Sequence, residues 1–326
     1  MIDRRIFILT ATQALFALPL AALAQRPLKE RRIGVLGVGP PAQHAEDIEV
    51  LAQTLRDLGW VNERAITFEQ RFADGHYEQL PQLAAELVAL KVDLIFTIGG
   101  TPAVKAAMGA TSEIPIVFPT IGDPVAQKLV RSLAHPGGNA TGLSNMTIET
   151  NAKRLELLKE ALPAIEHVAL VINGANPAAA SFLPLSNSAS QPLSIRLEAF
   201  DIRNAEDFDR TFEKMSRAGV QAIIIENDFM LDVSTDQFGM LALKHKLPLM
   251  AVNTGTGVLV TYGRDTPALY RQAATYVDRI LKGANPGDLP IEQPTKFRLI
   301  INLKTAKALS LTIPQSLLLR ADEVIR

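Results

Sequence analysis

Residues 92–124, VDLIFTIGGTPAVKAAMGATSEIPIVFPTIGDP, decide the fold. Val92–Ile98 is an almost unbroken apolar run with the length of a strand buried on both faces. It stops at Gly99-Gly100-Thr101-Pro102, where the proline suits the first turn of a helix, Pro102–Met108. A second apolar run, Ile114–Phe118, follows and ends in Thr120-Ile121-Gly122-Asp123-Pro124. Asp123 there has the form of an N-cap and Pro124 that of a first helical residue, so a further helix is expected. Strand, helix, strand and helix start within 33 residues predict a parallel sheet covered on both sides.

The same alternation extends in both directions. Upstream, Ile33–Val38 reads as a strand and Glu46–Leu58 as a helix, with Ile48, Leu51, Leu55 and Leu58 at helical spacing. Ile66–Phe72 is a strand and Glu78–Leu90 a helix. The pattern breaks at the turn-rich His135–Asn139, and Thr141–Ser144 is one more extended piece. It then restarts, with strands at His167–Ile172, Ser194–Phe200, Val220–Ile225, Leu247–Val252 and Val258–Tyr262. The helices of this half lie near Thr147–Leu162, Ala205–Ala218, Ser234–His245 and Thr266–Lys282, with a weaker helical stretch around 177–191 broken by Pro184. After a proline-rich linker, Phe297–Ile301 is the last expected strand. Two doubly wound α/β units follow. Lobe 1 takes residues 25–145, with about 264–296 returning to it; lobe 2 takes 146–263, with about 297–326 at the hinge or in lobe 2.

Residues 1–24 read as a signal peptide. Arg4-Arg5 form a basic start, the apolar run from Ala14 to Ala24 is too short to span a bilayer, and Ala22-Leu23-Ala24 places cleavage before Gln25. Asp3–Ile8 also resembles a twin-arginine signal, so both export routes stay open. The expected location is the periplasm. With no cysteine in the chain, disulfides, thiol catalysis and cysteine-ligated metals are excluded. A net charge of −1 gives no reason to expect nucleic acid or an anionic membrane as partner.

Chemical motifs are sparse. Gly37-Val38-Gly39-Pro40-Pro41-Ala42 has the spacing of a dinucleotide turn, but Pro40 and Pro41 remove two of the N–H groups that would face a pyrophosphate. A tight turn at a cleft, with Gly39 at its edge, is the better reading, and no cofactor is expected. No Walker A, H-E-x-x-H or G-x-S-x-G pattern occurs, and the five histidines lack ligand spacing and read as surface or turn residues. What remains is a series of small and polar residues at strand ends, where α/β sheets bind ligands. Gly100, Thr101, Thr120 and Asp123 occupy these places in the first unit, and Asn173, Asn176, Asn227, Asp228 and Asn253 in the second. They define a candidate cleft between the units.

Longer blocks carry a resemblance. RRIGVLGVG (31–39), LRDLGWVNERAITFEQRFADGHYEQLPQLAAELV (55–88), IGGTPAVKAA (98–107), IPIVFPTIGDPVAQKLVRSLAHPGGNATGLSN (114–145), LVTYGRD (259–265) and residues 276–326 resemble periplasmic substrate-binding proteins of ABC transporters, in the tryptophan and tyrosine subgroup. The resemblance implies a type I periplasmic binding protein fold, two Rossmann-like lobes joined by hinge strands and closing on a small ligand. It implies no enzyme activity, a monomer, and a membrane permease with its ATPase as partners. Asn227-Asp228-Phe229 departs from the family's Pro-Asp-Pro, the stretch between Leu249 and Gly263 is shorter, and the helix after Asn176 is serine-rich. The ligand is therefore expected only as an amino acid or related compound. Gly100 and Thr101 would donate to its carboxylate, and Asp123 or Asp228 would accept from its ammonium. Trp60, in a helix-to-strand turn, is expected to pack rather than to stack on a ligand. A periplasmic sensor subunit is the alternative function, and an α/β hydrolase or isomerase a more distant one.

Overall fold

The computed structural model describes residues 30–61, 66–144, 147–176, 179–294 and 296–326. The expected signal peptide and its cleavage point before Gln25 lie outside the described residues.

The first sheet is built from β1 (Arg31–Gly37), β2 (Ile66–Phe72), β3 (Leu94–Ile98), β4 (Ile116–Ile121) and β5 (Ala140–Ser144), in the order β2-β1-β3-β4-β5 and parallel throughout. The second contains β6 (His167–Ile172), β7 (Arg196–Asp201), β8 (Ala222–Ile225), β9 (Leu249–Ala251), β10 (Val258–Arg264), β11 (Phe297–Asn302) and β12 (Glu323–Ile325). Its order is β12-β11-β10-β9-β8-β6-β7, so β6 to β10 repeat the winding of the first sheet. Among the described residues only the β10–β11 pair is antiparallel. The fold class expected from the sequence is met: two α/β lobes with dominantly parallel sheets.

Alternation along each strand divides the cores. Ile33 and Val35 of β1 face the helices Pro41–Asp57 and Thr266–Leu281, alongside Leu94, Phe96 and Ile98 of β3. Leu36, Ile95, Ile116 and Phe118 face the opposite way, onto the helices Leu80–Ala89 and Thr101–Ala110. The second sheet likewise has a core on each face. Burial on both sides explains why these strands read as continuous apolar runs.

The chain passes between the sheets three times: after β5, after β10 and before β11. Helix Thr266–Leu281 thereby returns to the first sheet, packing on helix Pro41–Asp57 and on β4. Trp60 is buried there, its Nε1–H donating to Asp278 at 2.9 Å, so it packs within the lobe. The Thr141 hydroxyl donates to the Leu289 carbonyl at 2.7 Å, and Leu143 bridges to Glu292.

Four local expectations need correction. Asp123-Pro124 starts turns, not a helix: the Asp123 carboxylate accepts from the Val125 and Ala126 N–H groups, but Lys128 enters the left-handed region at φ 58° and ends the coil after one turn. Helix Ala179–Ser190 runs through Pro184, which is exposed in its second turn. The chain does not end its sheets at 301, since Gln315–Leu318 is helical and β12 adds an edge strand. His44 and His167 are buried instead of lying on the surface. Among the described residues no helix is long and apolar enough to cross a membrane.

Candidate functional site

In each sheet the winding reverses beside its first strand, which opens a crevice at the strands' carboxyl ends. In lobe 1 this point lies between β1 and β3; in lobe 2 it lies between β6 and β8. The two crevices face each other across a cavity of about 290 Å³, near the lower end of the ~300–1,000 Å³ usual for small-molecule sites.

The lobe 1 wall begins at the end of β3. Gly99 and Gly100 have φ of +100° and +77°, and a Cβ on Gly99 would run into Val38. That double turn brings Gly100 and the first residues of helix Thr101–Ala110 to the cavity wall, with the Thr101 side chain buried there. Thr120 and Gly122 continue this wall from the end of β4. Asn176, Asn227, Asp228 and Asn253 line the facing side. Seven of the ten sequence candidates thus reach one cavity: Gly100, Thr101, Thr120, Asn176, Asn227, Asp228 and Asn253.

The other three do not. Asp123 is committed to its turn. Gly39 lies against Phe229 at the seam between the lobes. Asn173 is buried behind the wall, donating to Asp228 at 2.9 Å and to the Tyr77 hydroxyl at 3.0 Å.

Asp228 is occupied as well. One carboxylate oxygen accepts from the Met230 and Leu231 N–H groups and from Asn173, capping helix Phe229–Val233. The other accepts from Asn176 at 2.7 Å and from the Tyr77 hydroxyl at 3.4 Å. The turn before it rests on a buried network. Glu226 accepts two bonds from Asn151, and fully buried Arg154 donates to Asn151 and to the carbonyls of Ile225 and Met250. Burial holds the Glu226 carboxyl above its ordinary range, and Asn151 and Arg154 oppose that rise.

Sequence reasoning found Asp228 but missed the three other charged residues that line the cavity. Asp47, from helix Pro41–Asp57, is pushed up to about 6 by burial, against its hydrogen bond from Tyr270. Asp232, from helix Phe229–Val233, is pushed up to about 7, again by burial and against the pull of Arg264. Arg264, at the end of β10, lies within electrostatic reach of both acids and of Tyr270. Nothing in the spacing of these residues distinguishes them from surface charges. Only the meeting of three separate elements does.

A family model described as ABC transporter substrate binding protein matches residues 41–325. The chain belongs to this family. Among curated proteins, a tyrosine-binding protein of Clostridioides difficile (strain R20291) is 26% identical over 263 residues, covering 79% of this chain and 75% of that protein. Among solved structures, a conserved domain protein of Vibrio cholerae O1 biovar El Tor is 27% identical with a TM-score of 0.84, over 91% of this chain and all of the other. An ABC domain from Streptococcus pneumonia, solved in complex with L-Trp, shares the fold at 23% identity and a TM-score of 0.82, with 91% and 100% coverage. The chain is thus a substrate-binding protein of the ABC transporter family, and its structural neighbours have the type I periplasmic binding protein fold.

Proposed function

We propose that this protein is the periplasmic solute-binding component of an importer. It is exported by residues 1–24, captures an amino acid or related compound between its lobes, and delivers it to a permease with an attached ATPase. The observation that carries this reading is the cavity itself. Its walls come from the strand ends of both lobes, so rotation about the three crossings opens and closes it. Residues 25–145 with 264–296, and 146–263 with 297–326, act as the two moving bodies. The protein works as a monomer and performs no chemistry.

An amino-acid ligand fits the cavity's charges. The N–H groups at Gly100 and Thr101, at a helix N-terminus, suit a carboxylate. Asp47 and Asp232, which line the cavity beside Arg264, are the acceptors for the ammonium; Asp123 does not line it, and Asp228 holds five donors of its own. The naming of a relative for tyrosine and the L-Trp complex of a structural neighbour support the same class.

The test is a thermal-shift screen of the mature protein against amino acids, small carboxylates and aromatic compounds, followed by small-angle scattering. A stabilising compound should also reduce the radius of gyration. A compound that saturates the protein without compacting it refutes capture by closure.

A further inference from the structure

Beside the cavity, two contacts join the lobes, each through lobe 1 residues that do not line it. Phe229 of lobe 2 stacks on His44 of lobe 1, with ring centroids 4.4 Å apart and planes 28° apart. His44 in turn lies on Phe72 at 5.4 Å. The Gly39 N–H donates to His44 Nε2 at 3.2 Å, which fixes the ring that Phe229 meets. Gly39 also provides the space: a Cβ there would overlap the Phe229 ring. A few residues away, the lobe 1 Tyr77 hydroxyl accepts from Asn173 and donates to Asp228, both of lobe 2. Tyr77 borders only the shallower groove next to the cavity.

We propose that Phe229, Gly39, His44 and Tyr77 form a clasp that lets the lobes close in the absence of ligand, and so sets binding affinity from outside the cavity. His44, Gly39 and Tyr77 do not line the cavity, so a bound solute gains nothing from them directly. They act on the fraction of molecules already closed, and apparent affinity scales with that fraction. Burial lowers the His44 imidazole to about 4, which keeps the ring neutral and able to accept from Gly39 at physiological pH. Phe229 has two roles, since its remaining surface lines the cavity while its ring grips the opposite lobe.

This inference rests on the proposed movement of the lobes, and one experiment separates the two. The chain has no cysteine, so Gln82→Cys and Lys214→Cys place one spin label on an exposed site of each lobe. Pulsed dipolar spectroscopy then gives the interlobe distance in the ligand-free mature protein. The expected wild-type result is two distances, closed and open. Tyr77→Phe, which removes only the hydroxyl, should lower the closed-to-open ratio roughly tenfold or more, the scale of a lost hydrogen bond to a charged group. Gly39→Ala should remove the closed distance. Two distances in unchanged proportion across all three proteins, or an open distance alone in the wild type, overturn the clasp and leave the moving lobes standing. A single, unvarying closed distance in all three overturns both.

Discussion

Replacing Asp228 by asparagine tests whether this carboxylate serves the ligand or the fold. It accepts from two backbone N–H groups at 3.0 and 3.3 Å, from two side-chain amides at 2.9 and 2.7 Å, and from a phenol at 3.4 Å. Asparagine keeps one oxygen for Met230, Leu231 and Asn173. Its NH₂ group then faces the Asn176 amide, donor against donor, where the carboxylate had accepted. Bonds to an ionised acceptor contribute ~1.5–3 kcal/mol and neutral ones ~0.5–1.5 kcal/mol. Weakening the three retained bonds and losing the Asn176 bond should destabilise lobe 2 by ~2–3 kcal/mol. In a protein of this size that lowers Tm by roughly 3–5 °C. Differential scanning calorimetry of Asp228→Asn reads this directly, and titration calorimetry with L-tyrosine or L-tryptophan reads affinity alongside. An unchanged Tm with affinity reduced tenfold or more would show that the carboxylate is available to the ligand, and the assignment made above would fail.

Arg154→Met should cost ~3–5 kcal/mol in chemical denaturation, because it leaves Glu226 buried without its guanidinium, and Glu226→Gln in the same chain should restore part of the loss. Asp47 and Asp232 are raised to about 6 and about 7, so between about pH 4 and 7 the folded protein holds protons that the unfolded chain releases. Stability should therefore fall as pH rises through that window, and Asp232→Asn should flatten its upper part in Tm measured against pH. Trp60→Phe breaks the bond to Asp278 and should cost ~1–3 kcal/mol in urea unfolding with no change in affinity; a large affinity change would place the indole at the ligand.

The parallel strands were legible because burial on both faces leaves continuous apolar runs such as Val92–Ile98. The cavity wall at Gly100 and Thr101 was legible for a related reason: ligands collect where buried strands end at helix N-termini. Other features depend on contacts distant in sequence. The turn at Asp123 has the residues of a helix start and stops because Lys128 takes a left-handed conformation. β12 is three residues long and exists through its pairing with β11. His44 is buried by rings from Phe72 and Phe229, which lie 28 and 185 positions further on. Asp228 lies on the cavity wall, where its place at a strand end suggested, but its five donors come from three separate segments and could not be counted from spacing. Arg264 and Asp232 carry no periodic signature of their own, so the charges of the cavity emerge only once the lobes are assembled.

The return of helix Thr266–Leu281 to the first sheet has a consequence for how the chain matures. Neither lobe is finished by the segment that begins it. Lobe 1 lacks Leu269, Tyr270, Ala273 and Val277 of its core until this helix has been synthesised, and lobe 2 lacks Leu299 and Ile301 until the strand after it arrives. A ribosome that has reached residue 264 has made the whole first sheet and five of the seven strands of the second and has sealed neither, so apolar surface stays open on two units at once. Completion of the two cores is thus tied to the last sixty or so residues.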